Sequence, residues 1–81
     1  MNQELAVAKG KYAELKLQAA EAEMAVEEER RTLREATGPV TATRSLDPSR
    51  IVFLSARLVK AIHDLRRIDT EMATLREGYN L

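Results

Sequence analysis

The chain has no cysteine and no tryptophan. The first absence removes disulfide staples, thiolate metal ligands and cysteine nucleophiles together, and it fits a reducing compartment. Tyr12, Phe53 and Tyr79 are the only aromatic residues, too few to interleave with bases along a nucleic-acid groove. Three glycines and two prolines leave few places to turn the backbone. Neither sign of charge prevails, with 13 basic and 13 acidic residues. A neutral chain has no long-range field with which to attract a polyanion. No apolar run nears the roughly 20 residues that span a bilayer. The start MNQELAVAKG has neither the basic nor the apolar part of an export signal. These absences set the expectation of a cytoplasmic protein that does not enter membranes.

The same scarcity bears on catalysis. The single histidine, His63, is followed by Asp64 on a different helical face, and with no cysteine it cannot complete a zinc site. Ser45, Ser49 and Ser55 have no base at a readable spacing, and no glycine-rich phosphate loop or nucleophile elbow occurs. The run Glu27-Glu28-Glu29-Arg30-Arg31 points its charges in several directions and reads as a solvated helix face. No catalytic residue, cofactor or metal is expected.

What remains is a pattern of helices. A first apolar stripe runs Leu5, Ala8, Tyr12, Leu15, Ala19, Ala22, Val26, Glu29, Leu33, Ala36, and a second runs Ile51, Leu54, Leu58, Ala61, Leu65, Ile68, Met72, Leu75, Tyr79. The steps alternate three and four, the spacing of a coiled-coil seam, and only Glu29 violates it. Between the stripes, Thr37-Gly38-Pro39 offers a glycine able to take the left-handed conformation and a proline that cannot continue the helix. Asp47 then caps a second helix with Pro48 in its first turn. The reading is all-α: one domain over 1–81, with helix 3–36, connector 37–47 and helix 48–79. The helices form an antiparallel hairpin, a two-stranded coiled coil. In the matching register Ala36 faces Ile51, Leu33 faces Leu54, Glu29 faces Leu58, Val26 faces Ala61, and so on to Ala8 facing Tyr79. Lys16 can then reach Asp69, while Lys9 lies near the like charge of Arg76. Glu29 has solvent as its simplest destination, with Arg30 or Arg57 as alternatives.

A single seam does not use all the apolar residues. Leu17, Met24, Val52, Phe53, Val59 and Ile62 lie beside or behind it and are the candidate protein-interface residues. Gly10 reads as a tolerated exposed glycine, or else as the mark of a frayed start or a close helix contact. The functional expectation is a non-enzymatic interaction module: a structural subunit or a small adaptor or chaperone, completed to a four-helix bundle by a second copy or by another helical protein. The alternative is an RNA-binding hairpin dimer using Arg50, Arg57 and Lys60; the interrupting acids Asp64, Asp69 and Glu71 weigh against it.

Overall fold

A computed structural model describes residues 2–81, with side chains from Gln3 onward. Two long helices account for most of it: α1 (Asn2–Thr37) and α2 (Pro48–Tyr79). A single 3-10 turn at Thr43–Ser45 lies in the connector. The helices pack side by side into a rod with extents of 63 × 16 × 13 Å. Among the described residues there is no strand.

The ends of the helices follow from local chemistry. Pro39 lacks an N–H, and its ring collides with the carbonyl four residues back, so α1 cannot pass it. The freed carbonyls are satisfied nearby: the Thr41 hydroxyl donates to the Glu35 carbonyl at 3.2 Å, and the Thr41 N–H donates to the Gly38 carbonyl at 3.0 Å. Gly38 is not in the left-handed conformation expected of it, since no glycine among the described residues has positive φ. Its need for glycine is steric instead. A Cβ there would lie 2.9 Å from the Arg34 carbonyl oxygen. The left-handed residue is Asn80 (φ 56°), which ends α2 and lets the Leu81 N–H donate to the Arg76 carbonyl at 3.0 Å. At the start of α2 the extended Asp47 accepts from the Arg50 N–H at 3.2 Å, and Pro48 fills the first turn, where the missing donor costs nothing.

The seam is where the burial is. Among the described residues, Ala8, Leu15, Val26, Leu54 and Ile68 are the buried apolar ones, and every one is a seam position. The other seam residues are half-buried except Leu5 and Tyr79, which are exposed at the open end. Ala36 and Ile51 line one groove near the connector, and Ala8 and Tyr79 line another at the far end, so the helices run antiparallel. Gly10 makes no close contact: a Cβ there would meet nothing within 4 Å.

Candidate protein interface

Glu29, the polar interruption of the seam, is mostly covered rather than free in solvent. Its side chain is 16% exposed and accepts a hydrogen bond from the Arg57 guanidinium at 2.8 Å, closing an ion pair between the helices. Arg57 also lies over the Phe53 ring one turn back on its own helix, its guanidinium 5.8 Å from the ring centre. The arrangement is a cluster of Phe53, Arg57 and Glu29 near the connector. It turns a seam violation into a register lock, because a slip of α2 by one turn would separate the two charges. The expected Lys16–Asp69 pair does not form. Both residues line one groove, but the Lys16 ammonium lies over the Tyr12 ring, 5.7 Å from its centre. Tyr12 is one turn away on the same helix, so this contact needs no reach across the seam.

The two flanks of the rod differ. One groove is lined by Gln18, Glu21, Ala25 and Glu29 of α1 and by Arg57, Lys60, Asp64 and Arg67 of α2, with Ala22, Ala61 and Ile68 beneath. The opposite groove is lined by Lys16, Ala20 and Glu23 against Leu65, Asp69 and Met72. Residues seven apart on a helix share a column. Phe53 therefore belongs to the first flank, in the column of Lys60 and Arg67. Ile62 belongs to the second, in the column of Asp69, with Val52 and Val59 beside it. Leu17 and Met24 occupy the back of α1, away from the seam.

The six interface candidates are thus not gathered into one patch. Leu17, Met24, Val52, Phe53 and Val59 are exposed, between 51% and 72% of their surface reaching solvent. Ile62 is half-buried against the seam. Sequence reasoning passed over the charged walls of the first groove. Their signal was present as a column of acids repeating every seven residues, Glu14, Glu21, Glu28 and Glu35.

The cations of the RNA alternative are partly engaged within the chain. Arg57 is bound to Glu29, and Lys60 is 3.0 Å from Asp64. Arg50 lies beside the connector, in a small groove with Ala36, Thr41 and Ile51. Among the described residues no three His, Asp or Glu side chains gather as a metal site, and no helix is long and apolar enough to cross a membrane. No protein-family model matches this chain, and neither a curated protein nor a solved structure matches it.

Proposed function

We propose that this chain is a non-enzymatic interaction module, a helical hairpin that works by packing against a further helical surface as a structural subunit or a small adaptor or chaperone. The observation that carries this reading is unspent surface. The chain exposes 6473 Å². A compact monomer of 9.1 kDa would expose roughly 4,900 Å², so the rod leaves about 1,600 Å² more in water than its mass requires. An ordinary protein interface covers about 800 Å² on each partner. Docking one or both flanks would therefore bring the chain to an ordinary degree of burial, and a four-helix bundle is the architecture that does so for two such hairpins. The lack of cysteine fits a cytoplasmic setting for this module.

Sedimentation equilibrium on the wild type beside a Met24→Glu, Phe53→Glu double variant tests the reading. A defined oligomer that the double variant weakens supports it. A monomer whose thermal unfolding is steep, and whose stability and mass are untouched by both substitutions, contradicts it.

A further inference from the structure

We propose that the groove walled by Glu21 and by Lys60 and Arg67 docks a second copy of this chain, the two copies being related by a two-fold axis running along the rod. This rests on the interaction-module reading and names the partner and the face. Over the heptad from Glu21 to Glu28 the outer columns of the two walls are of opposite charge. The α1 wall carries the acidic column that includes Glu21 and Glu28, and the α2 wall carries Lys60 and Arg67 in one column. Within one copy the walls do not satisfy each other: no ion pair joins Glu21 or Glu28 to Lys60 or Arg67, and Glu21 and Arg67 have no ion-pair partner among the described residues.

The register decides which symmetry suits these walls. The antiparallel pairing marked by Glu29 and Arg57 sets Glu28 within about two residues of the level of Lys60 along the rod, and one heptad further Glu21 within about two residues of the level of Arg67, offsets of about 3 Å that these long side chains can span. A two-fold axis parallel to the rod keeps every residue at its own level and exchanges the walls. It lays α1 of each copy antiparallel over α2 of the other, so Glu21 meets Arg67 of the second copy and Glu28 meets its Lys60. Each pair occurs twice, as isologous contacts require. A two-fold axis across the rod would instead stack the acidic column on itself and the basic column on itself, which like-charge repulsion disfavours. The basic wall is interrupted by Glu71 at its far end and by Asp64, which lies between Lys60 and Arg67. The present bond of Asp64 to Lys60 is a surface pair with 79% and 43% exposed side chains, weak enough to be shared or exchanged on docking. Alanines at 22, 25 and 61 keep the floor low, so a second pair of helices can come close.

The test is a charge swap. Glu21→Arg and Arg67→Glu are made separately, and each is measured by sedimentation equilibrium alone and in an equimolar mixture, with circular dichroism confirming that helicity is kept. In either variant alone, the two-fold axis along the rod sets like charges opposite each other twice, and dimer affinity is expected to fall at least about tenfold. In the mixture both contacts of the heterodimer are complementary again, and wild-type affinity is expected to return. Raising the salt to about 1 M should weaken the wild-type dimer. Undiminished dimers in both single variants, or a mixture no tighter than they are, would overturn the proposed face. A Val52→Glu, Val59→Glu variant on the opposite flank separates the two levels of failure. If it breaks an oligomer that the charge swaps leave intact, this face is wrong and the interaction-module reading stands. A wild type that stays monomeric at all concentrations and ignores every substitution overturns both.

Discussion

Replacing Leu54 by alanine is the sharpest test of how the hairpin is held. Leu54 is 4% exposed and lies toward the connector end of the seam. The change removes three carbon atoms from an apolar contact, and at about 0.8 kcal/mol per buried methylene the lost transfer energy is about 2.4 kcal/mol. The cavity contribution should be small, because a single pair of helices has no second layer and water can enter the gap from either flank. The expected loss is therefore about 2–3 kcal/mol, near the low end for buried leucines. Leu58 and Leu65, half-buried on the same stripe, should lose about 1–2 kcal/mol each. Leu17, 62% exposed on the back of α1, should change by no more than about 0.5 kcal/mol. Urea unfolding followed by far-UV circular dichroism at one fixed chain concentration gives the four values, with an unchanged slope showing that only stability moved. The ranking is the point. If Leu54→Ala lost less than about 0.5 kcal/mol while Leu17→Ala lost more than about 1 kcal/mol, the seam would have been assigned to the wrong face.

Other substitutions probe the local devices. Gly10→Ala should stabilise by about 0.5–1 kcal/mol, since its Cβ meets nothing and alanine favours the helix. Gly38→Ala should destabilise by about 1–2 kcal/mol in the same urea assay, since its Cβ would press on the Arg34 carbonyl oxygen, a backbone atom that cannot swing aside. Asp47→Ala removes the cap on the Arg50 N–H and should cost about 1 kcal/mol. Glu29→Ala should cost about 0.5–1.5 kcal/mol, because Arg57 is 55% exposed and can recover water when its partner is lost; a loss no greater than that of an exposed surface change would deny it any role in register.

Much of the fold was legible because a seam of this length repeats one physical instruction many times. The alternating steps from Leu5 to Ala36 and from Ile51 to Tyr79 place the five buried residues, and the Gly38-Pro39 and Asp47-Pro48 pairs place the break. What escaped the sequence was decided by single contacts. Glu29 could be seen as a violation, but whether it found Arg57 depended on helix phase and on the Phe53 ring lying under the guanidinium. Gly38 was legible as a helix stop, yet its reason is a carbonyl one turn back, not a positive φ. Lys16 could be placed within reach of Asp69 from the sequence, but its ammonium lies over the Tyr12 ring one turn away on its own helix. The candidate interface was legible residue by residue but not as a surface. A helical stripe gives angle round one axis, and only the packed pair shows that Phe53 and Val59 fall on opposite flanks.

The claim on which the functional reading depends is that one hairpin does not finish its own burial. The most direct measurement is the thermal midpoint as a function of chain concentration over a hundredfold range, followed by circular dichroism. Docking that buries the spare flanks stabilises the folded chain by mass action, so the midpoint should climb steadily with concentration. A steep transition whose midpoint does not move across that range would contradict the claim, and would make the hairpin complete as a single chain.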